Sequence, residues 1–389
     1  MSVTTGVRPV IFELESYEPG KPLPELKREI PQLARRTIIK LASNENPLGP
    51  SPKALRAARS ALKEMHRYPE PTAPVLRDKL ARVHRVNPEN ILVASGADEA
   101  LRLVVETLLD PCDSAVISQY AFSRFRQHVR LMGAGVTQVP MKDFRHDLPA
   151  MALKAMELKA KVIFVANPNN PTGTFNTERE LREFFAALRR GSPAGGEPWV
   201  VLDEAYHDFA RHAFASQYPD TLPGFFEAYP KLIILRTLSK IVGLAGLRVG
   251  YLAGPAEFVR LLHRARLIFN VNMIGQAAAL AALDDHAHIQ RTLKTISQGR
   301  RFLTQELGRL GFDVVSPSAA NFLFARIPAG NARDLYRRLL EEGVIIRPVG
   351  EPGLEAFVRI TVGTPAQNKI LIRALTKVLS VKATAVLSG

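Results

Sequence analysis

Six short apolar runs, each closing on polar or small residues, constrain this chain more than any other feature. They read "NILVASG" (90–96), "DSAVISQ" (113–119), "KVIFVANP" (161–168), "WVVLDEAY" (199–206), "KLIILRTLS" (231–239) and "VGYLAG" (249–254), with helical stretches between them. Runs this apolar have no solvated face, so they belong in a sheet covered on both sides; helical spacers make that sheet mostly parallel. The expected fold is α/β: a large domain with helices on both faces of a mostly parallel sheet, followed by a smaller α+β domain. A Pro- and charge-rich arm over 1–36 precedes the large domain, read as 37–262. The small domain, 263–389, begins where the pattern changes to a long helical reach and then to "NFLFARI", "GVIIRPV" and "FVRITVG".

At 389 residues and 46% apolar content the chain has material for a large core and a smaller second one. Cys112 is the single cysteine, so no intramolecular disulfide forms. The first 22 residues lack the apolar core of a secretory signal, and no apolar run spans a bilayer; the expectation is a cytoplasmic protein with no membrane partner. A net charge of +15 raises the question of nucleic acid, but the basic residues are scattered over helix faces and no helix-turn-helix, zinc-finger or RNP pattern occurs. Neither a Walker A sequence nor G-x-G-x-x-G is present, and "DDHAH" (284–288) reads as a solvated helix end rather than a metal cluster.

Open α/β sheets bind ligands beyond the carboxyl ends of their strands. Four of the runs end there in "SGADE", "NPNNPTG", "DEAY" and "TLSK". A lysine at such an end is usually a solvated group, but Lys240 stands beside the hydroxyls of Thr237 and Ser239 and the cation Arg248, with Gly243, Gly246 and Gly250 to admit close backbone approach. That is an anion pocket beside an amine, and a partly buried amine near cations forms Schiff bases with aldehydes. Ala97 and Asp98, where a strand turns into a helix, direct free N–H groups at a phosphate. Asp203 is placed to pair with a protonated ring nitrogen, and Tyr206 and Asn167 to donate to a ring oxygen. An aldehyde with a phosphate, a pyridine nitrogen and a ring hydroxyl is pyridoxal 5'-phosphate.

The motifs "SNENPLGPSP", "RYPE", "SGADE", "ANPNNPTG", "DEAY", "RTLSK", "GLAGLRVGY", "IIRPVG" and "VRITVGT" occur in order from about Tyr17 to Thr364, and the chain so resembles a fold-type I aminotransferase of the histidinol-phosphate aminotransferase family. The resemblance implies the pyridoxal-phosphate transferase fold of type I, a three-layer αβα large domain on a mostly parallel seven-stranded sheet plus a small α+β domain, with Lys240 as Schiff-base lysine and proton shuttle, and Asp203 on the pyridinium nitrogen. It places Asn167 and Tyr206 on the ring oxygen, with Ala97, Asp98, Ser239, Arg248 and Thr237 around the phosphate. Phe122 is the ring-stacking aromatic by alignment, with Tyr120 two residues away as the alternative. Arg359 is implied for the substrate carboxylate or its equivalent, Arg347 for the substrate phosphate, with Tyr17 covering that phosphate and Asn44 near the substrate. Tyr68 reaches the partner's cofactor in a homodimer with shared sites. The implied reaction interconverts histidinol phosphate plus 2-oxoglutarate and imidazole acetol phosphate plus glutamate, in histidine biosynthesis; aromatic amino acids, or decarboxylation of a phosphorylated amino acid, are the alternatives. Pro71 departs from the family's more usual glycine, and Arg124 and Arg126 charge a segment that is often less charged.

Overall fold

A computed structural model describes residues 4–14, 21–33, 37–193, 196–222 and 224–386. After a short strand β1 (Ile39–Lys40), seven strands build the central sheet: β2 (Ile91–Ala94), β3 (Ser114–Ser118), β4 (Gly135–Val139), β5 (Val162–Ala166), β6 (Trp199–Asp203), β7 (Leu232–Thr237) and β8 (Gly250–Ala253). Their order is β2-β8-β7-β6-β5-β3-β4, with β8 antiparallel to both neighbours and the other pairs parallel. Every residue of β5 is buried, and β2 and β8 are buried throughout, as continuous apolar runs require. β4, at the edge, is half exposed, which is why "GVTQV" carries no apolar run.

The C-terminal part adds β9 (Asp313–Val314), β10 (Phe322–Arg326), β11 (Val344–Ile345), β12 (Arg347–Pro348) and β13 (Phe357–Thr361). Four of these form an antiparallel sheet of order β12-β13-β10-β9, while β11 pairs in parallel with β1. The segment that opens the expected large domain is therefore hydrogen-bonded to the C-terminal unit. Conversely, helix Met273–Leu283, assigned by sequence to the small domain, packs against helices Pro52–Ala61 and Pro74–His84. Helix His286–Arg309 then leads into the small unit and packs against the terminal helix Pro365–Val386. In the "DDHAH" segment Asp284 pairs with Lys79, while Asp285 caps helix His286–Arg309 and accepts from Ser51 Oγ at 2.6 Å. Among the described residues no helix is long and apolar enough to cross a membrane.

The arm contributes helix Leu23–Glu29, whose Leu26 is fully buried with Ala42 and Ile345. Tyr17 lies outside the described residues.

Candidate active site

The carboxyl ends of β2, β5, β6 and β7 lie on one edge of the sheet, with antiparallel β8 between β2 and β7, and the segment 42–46 meets the residues that follow β6 and β7. It is anchored through backbone: Ser43 O accepts from Lys240 Nζ at 3.1 Å, Ala42 O accepts from Arg359 Nη2 at 2.6 Å, and Asn44 O accepts from Asn321 Nδ2 at 2.9 Å. Asn44 adopts φ 54°, which turns its side chain inward, where Nδ2 donates to Tyr206 Oη at 2.9 Å and Oδ1 accepts from Thr361 Oγ1 at 3.1 Å. Asn44, Tyr206 and Thr361 thus form one buried polar cluster, with the Tyr206 ring edge-on to Phe322 at 5.1 Å.

Lys240 follows β7 by three residues. Burial is the main cause that lowers its ammonium pKa, to about 8, and the nearby guanidinium of Arg359 adds to it, opposed by Glu45. Asp203, at the end of β6, moves the other way. Burial raises its carboxyl pKa to about 6 against the Ala205 N–H donated to Oδ1 at 2.9 Å, with Glu204 and Asp98 adding repulsion. No cation lies within ion-pair distance of Asp203 among the described residues. A sequestered carboxylate in this setting calls for a cationic ligand atom.

A cup for an anion sits beside them. Gly96, at φ 84°, caps helix Ala97–Leu108, whose first N–H groups lack partners within the helix. At Gly96 the positive φ favours glycine, and an added Cβ would push on Arg248 Nη2 at 2.5 Å; at Gly250 an added Cβ would meet the backbone at Ala97 N at 2.5 Å, which closes that position to any larger residue. Gly243 is likewise closed by Gly49 O, at 2.2 Å from an added Cβ, whereas Gly246 has nothing within 4 Å and is no site of close approach. Ser239 completes the cup: its N–H donates to Thr237 Oγ1 at 3.1 Å, and Thr237 Oγ1 donates to Ser239 Oγ at 3.0 Å. A backbone cradle, a hydroxyl pair, a guanidinium, an amine and a buried carboxylate match the phosphate, aldehyde and ring nitrogen of pyridoxal phosphate, one donor set for each group.

Asn167 and Asn170 are held differently. Asn167 is fully buried, and its amide pairs with the Asn176 backbone: Oδ1 accepts the Asn176 N–H at 2.8 Å and Nδ2 donates to Asn176 O at 3.0 Å. It braces the turn after β5. Asn170, three residues on, accepts from Arg359 Nη1 through Oδ1 at 2.6 Å. "NPNNPTG" holds three asparagines, and only the folded turn tells which one faces the cleft.

Phe122 and Tyr120 separate cleanly. Phe122 precedes helix Ser123–Leu131 and packs edge-on against Phe125, next to helix Ala97–Leu108. Tyr120 instead joins Phe144, Phe324, Val349 and Leu354 under the small unit. Asp98 turns its carboxylate to Arg124 and His128, which leaves its backbone N–H as the group for a ligand.

Arg359 and Arg347 are directly opposite each other on β13 and β12. Cross-strand partners in an antiparallel pair share a face with Cβ atoms about 5 Å apart, and like charges so placed repel. Two half-buried arginines in this register offer positive charge suited to a multivalent anion. Tyr68 lies elsewhere: it is 81% exposed and stacked on Phe269 at 4.6 Å.

This fold and site define a pyridoxal-phosphate aminotransferase scaffold, and comparison with known proteins agrees. The family model for class I and II aminotransferases matches residues 36–375. The histidinol-phosphate aminotransferase of Moorella thermoacetica is 41% identical over 96% of this chain and 93% of its own. That of Symbiobacterium thermophilum is 42% identical over 96% and 99%. The crystal structure of histidinol-phosphate aminotransferase from Sinorhizobium meliloti in complex with pyridoxal-5'-phosphate superposes with a TM-score of 0.85 at 28% identity, covering 97% of this chain and 98% of that one. The chain belongs to the class I and II aminotransferases and, within them, to the histidinol-phosphate aminotransferase family.

Proposed function

We propose that the protein transfers an amino group between histidinol phosphate with 2-oxoglutarate and imidazole acetol phosphate with glutamate, as a step of histidine biosynthesis in the cytoplasm. The observation that carries the substrate class is the Arg347–Arg359 cross-strand pair beside the buried Lys240. A phosphate or a carboxylate satisfies the same pair, so one site serves both substrates of a two-stage exchange.

When bound, pyridoxal phosphate supplies an aldehyde that condenses with amines and a protonated ring that draws off electrons from the adjacent carbon. Arg248, Ser239, Thr237 and the N–H groups of Ala97 and Asp98 hold the phosphate. Asp203 keeps the proton on the ring nitrogen, since a carboxylate this buried gains most from a cation in contact. Phe122 packs on the ring face. Tyr206, fixed by Asn44, and the Nδ2 of Asn170 serve the ring oxygen. With its pKa near 8, Lys240 is neutral in an appreciable fraction of molecules at neutral pH and takes up and returns the proton at the substrate carbon. Arg359 holds the carboxylate of glutamate and, with Arg347, the phosphate of the alternative substrate.

The protein acts as a homodimer in this reading. Tyr68, Leu267 and Ile268 are 81%, 72% and 75% exposed in the single chain and sit with Phe269 on one surface, an apolar patch suited to a second copy. Tyr68 then reaches the partner's cofactor phosphate. Steady-state assays test the substrate: kcat/KM for histidinol phosphate exceeds that for phenylalanine by at least about tenfold, the margin a dedicated anion site provides. A preference for phenylalanine of that size overturns the assignment.

A further inference from the structure

Arg124, one of the two arginines that set this segment apart in the sequence, has a place in the fold that the proposed chemistry leaves unused. It is the second residue of helix Ser123–Leu131, where a cation opposes the helix dipole. Its fork closes on Asp98, Nε to Oδ1 at 2.8 Å and Nη2 to Oδ2 at 2.9 Å, and a further Nη donates to Gln127. Buried His128 joins from one turn on, with Nε2 at 3.1 Å from Asp98 Oδ1 and 3.0 Å from Arg124 Nη2. Both carboxylate oxygens of Asp98 are thereby engaged.

The carboxylate needs such company because of where it sits. Asp98 is the second residue of the helix whose N-terminus forms the phosphate cup, so its charge lies beside the place of a phosphate dianion. Burial works to raise its pKa, but the hydrogen bonds from His128 and Arg124 prevail and hold the carboxyl well below the usual range, so it stays charged. Its field reaches Asp203 as well, where it opposes ionisation.

We propose that Arg124 is a positioning residue for the cofactor: it neutralises Asp98 at the rim of the phosphate cup, so that the cup's N–H groups meet a phosphate without an opposing charge. This rests on the reading of the cup as a pyridoxal-phosphate site. Side-chain exposures of 21% for Arg124 and 42% for Asp98 keep the effect moderate, since solvent screens the bare carboxylate.

The test is the dissociation constant of pyridoxal phosphate for the apo protein, by equilibrium dialysis with absorbance. Arg124→Gln weakens binding by about tenfold, the scale of a like charge at partly screened range. The double variant Asp98→Asn/Arg124→Gln returns to within about threefold of the wild type, and Asp98→Asn alone binds as tightly or more tightly, because it removes a charge that opposes the phosphate. Binding by Arg124→Gln that matches the wild type overturns the proposal, and so does a double variant as weak as Arg124→Gln, which marks the pair as a mechanical joint only. Should Arg124→Gln fail to fold, Asp98→Asn decides: a tenfold loss in that variant overturns the proposal too. A wild type that does not take up the cofactor defeats the cup reading itself, an outcome distinct from all of these.

Discussion

Replacing Gly250 with alanine puts the anion cup under the most direct strain. Gly250 opens β8 between Ala94 of β2 and Thr237 of β7, the two strands that lead into the cup. Its added Cβ would stand 2.5 Å from Ala97 N, 2.6 Å from the Gly96 carbonyl carbon and 3.0 Å from Gly96 Cα. All three are backbone atoms, so no side chain can swing aside. The shortest contact falls about 0.9 Å inside 3.4 Å, the near edge of ordinary contact, and the first turn of helix Ala97–Leu108 must retreat by a similar amount. Overpacking of this kind costs about 1–3 kcal/mol of folding stability. The N–H groups at that turn are the ones offered to the phosphate, and a hydrogen bond to a charged group is worth about 1.5–3 kcal/mol. Losing one weakens pyridoxal phosphate binding by about tenfold or more. Cofactor titration of the apo protein, beside urea unfolding, reads both quantities, and Gly246→Ala, with nothing within 4 Å of its Cβ, is the control that changes neither. Wild-type cofactor affinity in Gly250→Ala would refute the placement of the cup.

Three further outcomes follow from the same geometry. Asp203 has a folded pKa of about 6 against 3.8 for its free value, so the apo protein binds the extra proton between those limits. Its contribution is full below about pH 4 and lost as pH rises through 6, about 3 kcal/mol in all, and urea titrations of Asp203→Asn lack that slope while its cofactor binding suffers. Asn167→Ala lowers stability by about 1–3 kcal/mol, because the Asn176 backbone loses two buried partners, whereas Asn170→Ala leaves stability nearly intact and raises KM for the anionic substrates. Arg359→Gln removes the second of the causes that depress Lys240, so the pH midpoint for cofactor uptake by the apo protein moves upward from about 8; an unmoved midpoint contradicts the coupling.

How much of this the sequence disclosed depends on the kind of feature. Apolar continuity announced β2, β3 and β5 to β8, since strands buried on both faces have no polar alternation to blur them. β4 is an edge strand with solvated positions and left no such trace. Lys240, Asp203, Arg248, Ser239 and Gly96 stand at strand ends or helix starts, where local sequence sets local geometry. Contacts set by distant pairing were hidden. That Arg347 faces Arg359 follows from the register of β12 on β13, and that Asn170 rather than Asn167 meets Arg359 follows from how one turn folds back on Asn176. Nothing along the chain joins Glu204 to Arg236, yet the two form a buried pair at 2.7 Å that ties β6 to β7 directly behind Asp203. The pairing of β1 with β11 is hidden for the same reason, with Ile39 and Gly343 304 positions apart in sequence yet joined by a hydrogen bond of 2.9 Å from Ile39 N to Gly343 O, and Leu41 N donating to Ile345 O at 2.7 Å beside it.

The central claim is that the ε-amine of Lys240 is the group that takes the cofactor's aldehyde. Purified protein incubated with pyridoxal 5'-phosphate, reduced with borohydride and digested for peptide mass mapping tests it most directly. The account predicts one pyridoxyl label per chain on Lys240, and no stable label in Lys240→Ala. A label on another lysine in the wild type, or no label at all, would contradict it.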